Sequence, residues 1–340
     1  MNGFERTRAF LEGKPVDRPP FHPIVMRWAA QHAGVMYRDF CLIPKAKAVA
    51  MLRCADDFDF DWATAMSDPW AEASAFGIRI EYPENDLPRE AGGRLPDLEA
   101  ALKLKPYVVH EHRRTRDRVE EVRELVRASA GRLFIVGWVE GPVAEYVNLR
   151  GAGGAALDLM DDPDDVARVL DVIAEAALDL ISYQIKAGAH AVGIGDSFCS
   201  QIGPRLYRDL AQPREKLMVD QIHALGAVAK LHICGNTAPL LPDMIATGAD
   251  IIDVDHLVPT LAPFHEFLGP GQVFSGKADP VSVVQDGVPK DIERRVREDF
   301  LEARGRLIVS AGCEITPETS EDNMRAFRAV AGRLLGRVAG

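Results

Sequence analysis

No stretch of this 340-residue chain stays apolar for the roughly 18 residues that a bilayer crossing demands, and residues 1–20 lack the apolar core of a secretory leader. A soluble, cytoplasmic protein with no membrane contact is the expectation. Positive charge is also in deficit. Lys and Arg number 40 against 51 Asp and Glu, a formal charge of -11, which argues against nucleic acid as a partner. Cysteine is scarce and odd in number, 5 in all, so no disulfide framework is expected and the thiols remain available to a metal in a reducing compartment. No low-complexity linker interrupts the chain. No G-x-G-x-x-G fingerprint follows a strand, and the Gly151–Gly154 run reads as a loop.

What the chain does have is enough apolar content, 47% hydrophobic residues, to bury a large core, and α/β barrels of this length occur as one domain. Candidate strands are His22–Met26, Asp57–Trp62, Leu133–Trp138, Ala191–Asp196, Ala227–His232, Asp250–Asp255, Gln272–Ser275 and Leu307–Ser310. Helical stretches at Pro44–Cys54, Arg116–Ala130, Pro163–Ala187, Pro204–Leu225, Ala238–Ala246 and Pro289–Arg304 separate most of them, several opened by Pro or Asp. This alternation predicts an α/β fold, a (β/α)8 TIM barrel, as a single domain over residues 1–340 with additional N-terminal helices. The basic run Arg113, Arg114, Arg116 and Arg118 precedes Glu120, Glu121 and Glu124 at helical spacing and reads as a solvated helix face.

The most informative motif is His232-Ile233-Cys234 with a distant Cys313. Alternate residues of a strand share a face, so His232 and Cys234 can converge on one point while Cys313 arrives from elsewhere. One imidazole and two thiolates suit zinc, and three protein ligands leave a position open for substrate. The structural alternative is two buried cysteines and a satisfied core histidine.

In a barrel, reactive residues belong where strands end. Arg27, Asp68, Glu140, Asp196, His232, Cys234, Asp255, His256, Lys277, Asp279 and Cys313 all follow or close candidate strands. Asp68 before Pro69 reads equally as a helix N-cap, Arg27 and Asp196 as structural ion-pair members, and Lys277 as a surface charge. Cys199 lies in a loop beyond the fourth strand and reads as a non-ligand, and Cys41 and Cys54 as packing residues.

Taken in order, the Met26-Arg27 stretch, Ser67-Asp68-Pro69-Trp70, Gly141-Pro142, Asp196-Ser197, His232-Ile-Cys-Gly-Asn236, Gly276-Lys-Ala-Asp-Pro280 and Gly312-Cys-Glu-Ile315 with Pro317 and Asn323 resemble the uroporphyrinogen decarboxylase superfamily across nearly the whole chain. The resemblance implies the same barrel. True decarboxylases of that group carry a second arginine where this chain has Gln31, and a Gly-His-Gly where Gly312-Cys313-Glu314 stands. The H-x-C…C pattern is instead similar to the methylcobamide:coenzyme M methyltransferases and related corrinoid-dependent enzymes. That likeness implies zinc on His232, Cys234 and Cys313, with Asp255 the best match to a further acidic ligand and His256 or Glu140 as substitutes.

The implied reaction moves a methyl group between a corrinoid, methylcobalamin presented by a separate corrinoid protein, and a small acceptor or donor, with a thiol made nucleophilic by zinc. On this reading Asp68, Glu140 and Asp255 serve catalysis, and Arg27, Asp196, His256 and Lys277 bind substrate. No Asp-x-His-x-x-Gly corrinoid motif is present in the chain itself. The alternatives carried are a cofactor-free decarboxylase, for which Asp68 is retained, and a non-catalytic corrinoid- or metal-binding accessory protein. Self-association into a homodimer is left open.

Overall fold

The structure, a computed structural model, describes residues 1–334. Strand β1 is Trp62–Thr64, followed by a small antiparallel ribbon of β2 (Ile80–Glu81) and β3 (Arg89–Glu90). Six further strands follow: β4 Phe134–Glu140, β5 Ala191–Gly195, β6 Val228–Ile233, β7 Ile251–Val254, β8 Val273–Ala278 and β9 Leu307–Ala311. Seven of these strands form one parallel sheet in the order β1-β4-β5-β6-β7-β8-β9. Strand pairs such as β4 and β5 are spanned by helices, here Pro142–Arg150, Ala152–Asp161 and Pro163–Lys186. Both faces of such a sheet are covered, so β4 reads Phe-Ile-Val-Gly-Trp-Val with every one of these residues buried. Proline occupies the first helical turn at Pro44, Pro142, Pro163 and Pro289, where its missing N–H costs nothing.

Side chains of one parity meet inside the curled sheet. Trp62, Phe134, Val136, Ala191, Ile251, Val273 and Ile308 form one apolar cluster there. Further along the strands the same parity carries Trp138, Lys230, Asp253 and His232, so the interior turns polar toward the strands' C-terminal ends.

Several sequence expectations are corrected. His22–Met26 is not a regular strand. Only Phe21, just ahead of it, makes a parallel bridge, to Val309, because Pro19, Pro20 and Pro23 have no N–H to give to a ladder. The segment still bonds to both flanking strands: His22 N–H donates to the Val309 carbonyl at 3.0 Å, and Asp61 N–H donates to the Phe21 carbonyl at 3.0 Å. The expected strand at Asp57–Trp62 starts only at its last residue: Asp57 and Phe58 end a helix, Asp59–Asp61 are irregular, and β1 opens at Trp62. Met51, Cys54, Ala55 and Phe58 continue one buried helical stripe to the end of helix Pro44–Phe58, and Asp59 then turns the chain in the left-handed region. The Gly151–Gly154 run is not a loop, since Gly151 is a junction and Ala152 starts a helix. The arginine run is not wholly solvated. Arg114 and Arg118 are buried on the inner face of helix Arg113–Ser129 with Val122 and Leu125.

Candidate metal centre and cavity

His232 is the fifth residue of β6, and Cys234 follows the strand directly. Both face the sheet interior, and Cys313 reaches the same point from the end of β9. His232 Nε2 stands 3.0 Å from Cys234 Sγ, the two sulfurs are 3.8 Å apart, and the three ligand atoms all lie within 4.8 Å of one another. Tetrahedral zinc with bonds of about 2.3 Å to each sulfur would hold the sulfurs about 3.8 Å apart. The residues present therefore fit such an ion.

Backbone packing sets this convergence. Gly312 precedes Cys313 where a Cβ would stand 2.3 Å from the His256 nitrogen, so only glycine lets the β9 end come this close to the β7 end. Asp255 accepts from the Gly235 N–H at 2.8 Å and the Leu257 N–H at 3.1 Å. It thus pins the turn that carries Cys234 and does not point a free oxygen at the sulfurs. The carboxylate next to the histidine is Asp253, its cross-strand partner in register. Asp253 Oδ2 lies 2.9 Å from His232 Nδ1 and 3.0 Å from Lys230 Nζ.

The electrostatics follow. Burial alone would lower the His232 pKa, but Asp253 and Cys313 outweigh it and raise it to about 9. Cys234 and Cys313 interact electrostatically across their 3.8 Å contact. Hydrogen bonding from Cys234, opposed by burial and aided by His232, pulls Cys313 down to about 4, while Cys313 and burial push Cys234 far up. One sulfur is thus already a thiolate beside an imidazolium, the charge state from which a divalent ion displaces protons.

The centre opens into a cavity of about 170 Å³ lined by Ile24, Met26, Met66, Asp68, Pro69, Trp138, Glu140, Gly195, Ser197, His232, Cys234, Cys313 and Glu314. Trp138 lies across Gly193 and Gly195, where any Cβ would meet its ring at 2.4–2.6 Å. Its indole N–H donates to Glu140 Oε1 at 3.1 Å. Burial and the neighbouring Glu72 raise Glu140 to about 8, so it carries a proton at neutral pH. Burial also raises Glu314, to about 7, although its Oε1 accepts from the Arg27 N–H at 3.1 Å. Asp68 behaves oppositely. Burial would raise its pKa, but Arg114, 2.8 Å from Oδ2, and Arg118 lower it, and it remains ionised.

Of the residues singled out from sequence, Asp68, Glu140, His232, Cys234 and Cys313 meet at the cavity. The others do not. Asp196 is fully buried beneath it, accepting from the Ala144 and Val143 N–H groups at 2.6 and 3.4 Å. His256 lies between Asp255 and Asp279, at 2.6 and 3.6 Å. Lys277 is buried and donates to the Val258 and Pro259 carbonyls at 2.8 and 3.2 Å, so it is neither a surface charge nor a cavity residue. Asp279 caps the turn that follows through Val281 and Ser282. Arg27 borders a separate groove with Gln31 and Asn85, its guanidinium 3.5 Å from the Asn85 carbonyl. Cys199 packs against Asp196 and Glu215, and Cys41 and Cys54 are buried. Asp253, Glu314, Trp138 and Arg114 were missed.

Comparison with known proteins bears on this site. A family model described as uroporphyrinogen decarboxylase (URO-D) matches residues 2–334. The Methylcobamide:CoM methyltransferase MtbA of Methanosarcina mazei is 28% identical over 332 residues, 94% of this chain and 95% of that protein. A uroporphyrinogen decarboxylase of Prochlorococcus marinus strain MIT 9303 is 31% identical over 340 residues, 93% of this chain and 92% of that one. In three dimensions, a methyltransferase from Methanosarcina mazei matches with a TM-score of 0.87 at 21% identity, covering 98% of this chain and 99% of the other. That last likeness concerns the fold.

Proposed function

The chain belongs to the uroporphyrinogen decarboxylase family, and on that premise we propose that it is a zinc-dependent methyltransferase that moves a methyl group between a corrinoid and a small thiol acceptor. The corrinoid is methylcobalamin presented by a partner protein. The chain forms one (β/α)8 barrel domain in which Pro20–Ile24 takes the eighth strand position. Because identities to a methyltransferase and to a decarboxylase are similar, at 28% and 31%, relatedness alone does not choose between the two chemistries. The observation that carries the choice is the convergence of His232, Cys234 and Cys313, whose sulfurs are 3.8 Å apart. Cavity size supports it. About 170 Å³ lies below the roughly 300–1,000 Å³ of pockets for drug-sized ligands, which suits a small thiol at the metal with the corrinoid presented at the mouth by its partner protein.

Bound by these three residues, zinc supplies deprotonation of an acceptor thiol at neutral pH and so a stronger nucleophile. The chain's own residues do the rest. Asp253 holds the His232 ring by Nδ1, leaving Nε2 toward the sulfurs. Trp138, Met66 and Ile24 exclude water from the reacting end of the cavity. Glu140, protonated at neutral pH, holds a proton at the cavity wall that a substrate heteroatom can take or return. Asp68, kept ionised by Arg114, accepts hydrogen bonds and orients. Asp255 acts by fixing the Cys234 turn, and the Arg27 backbone N–H holds Glu314 in place.

Metal content of the reduced protein tests this function. One zinc per chain, lost in Cys234→Ser and Cys313→Ser, is expected. Absence of zinc after reconstitution, with activity that survives chelation, would overturn it in favour of decarboxylation.

A further inference from the structure

We propose that the cavity selects a substrate with no anionic group, a small uncharged or cationic thiol, and discriminates against sulfonates and carboxylates. This inference rests on the zinc–thiol function and adds the charge class of the acceptor.

The observation behind it is the distribution of cations. Among the described residues that line the cavity there is no Lys or Arg, whereas three carboxyl groups, Asp68, Glu140 and Glu314, face it. The cations around it are paired or turned away, among them Arg118, which donates to the Asp68 carbonyl and lies 3.7 Å from Glu121. Arg114 pairs with Asp68 at 2.8 Å, Lys277 donates to the Val258 and Pro259 carbonyls, and Arg27 borders another groove. Lys230 pairs with Asp253 beneath the centre at 3.0 Å.

An anionic tail held against the wall would meet Met66, Trp138 and carboxyl groups, with no opposite charge to receive it. Buried unpaired charge is among the costliest arrangements in proteins. Protonation does not rescue it, because a neutral Glu140 offers a hydrogen bond but no positive charge. Nor does the metal centre compensate: two thiolates cancel the charge of a divalent ion, and a third thiolate makes the centre net negative. An amide, hydroxyl or ammonium tail instead meets acceptors. Size narrows the class, since about 170 Å³ lies below the roughly 300–1,000 Å³ of drug-sized pockets.

The test is calorimetric titration of the zinc-loaded protein at neutral pH with an isosteric pair, 3-mercaptopropanamide and 3-mercaptopropionate, and with 2-mercaptoethanesulfonate. The amide is expected to bind at least tenfold more tightly than either anion. Glu140→Lys, or Met66→Lys on another part of the wall should the first fail to fold, is expected to close or reverse that gap. Equal affinity of amide and carboxylate for the wild-type protein overturns the inference and leaves the zinc–thiol function standing. A protein that takes up no zinc, or a zinc-loaded one that binds none of the three thiols, overturns that function and this inference with it.

Discussion

Asp253 Oδ2 lies 2.9 Å from His232 Nδ1, on the edge of the ring opposite the sulfurs. A histidine that ligates through one nitrogen is oriented and made more basic by a carboxylate on the other, and loss of such a partner costs 10–100-fold in metal affinity. Asp253→Ala is therefore expected to weaken zinc binding by about that factor, measured by competition with a chromophoric chelator. Removing Asp253 alone leaves Lys230 buried without its partner at 3.0 Å. The companion Asp253→Ala/Lys230→Met separates the effects: it should regain stability but not affinity. Wild-type affinity in the double variant would remove Asp253 from the centre.

Arg114 and Asp68 form a second buried pair, with side chains 7% and 1% exposed. Breaking a buried pair from one side strands a charge and typically costs about 3–5 kcal/mol, whereas replacing both partners is much cheaper. Arg114→Met should destabilise the protein by about that amount in urea denaturation, and Arg114→Met/Asp68→Asn should recover much of the loss. A single variant within about 0.5 kcal/mol of wild type, the usual range for surface changes, would mean the pair is effectively solvated.

Much of this site was legible in the sequence, and the failures have physical causes. His232-x-Cys234 could be read because a strand's two-residue period puts both on one face, and the barrel rule brought Asp68, Glu140 and Cys313 to the same end. Asp253 could not be chosen over Asp255 without the register that aligns it with His232. Both aspartates share a parity, and only the chain's turn after β7 gives Asp255 to backbone N–H groups. Arg114, Arg118 and Glu121 occupy the same stripe of their helix as Val122 and Leu125. A charge run with that spacing resembles a solvated face until a carboxylate from another segment is known to meet it. The first strand failed because its prolines leave too few donors for a ladder.

Glu140 gives the pH dependence a definite sign. Its pKa rises from 4.5 to about 8 through burial and Glu72, so the folded state holds a proton that the unfolded chain has released. Stability then falls as pH rises from the ordinary carboxylate range toward about 8, because the folded state binds more protons over that window. Glu72 and Glu145, raised by the same burial, act in the same direction. The melting temperature of the wild type is expected to drop between pH 6 and 8, and Glu140→Gln should flatten that slope. An equal slope in the variant would assign the effect to the other groups whose pKa burial or neighbours raise, Glu72, Glu145, Glu314 and His232.

Gly312 and Gly195 distinguish metal loss from cavity loss. A methyl group at Gly312 would stand 2.3 Å from the His256 nitrogen and 2.9 Å from the Asp255 carbonyl carbon. Both are backbone, so the β9 end must retreat and take Cys313 from Cys234. Overpacking of this kind costs about 1–3 kcal/mol, which a protein of this size can survive while the 3.8 Å sulfur separation does not. At Gly195 a methyl group would instead meet the Trp138 ring at 2.6 Å, a side chain that can swing into the cavity. Gly312→Ala should therefore fold with substoichiometric zinc by elemental analysis, whereas Gly195→Ala should keep its zinc and lose calorimetric thiol binding. Full zinc in folded Gly312→Ala would mean that the approach of the β7 and β9 ends does not set the ligand spacing.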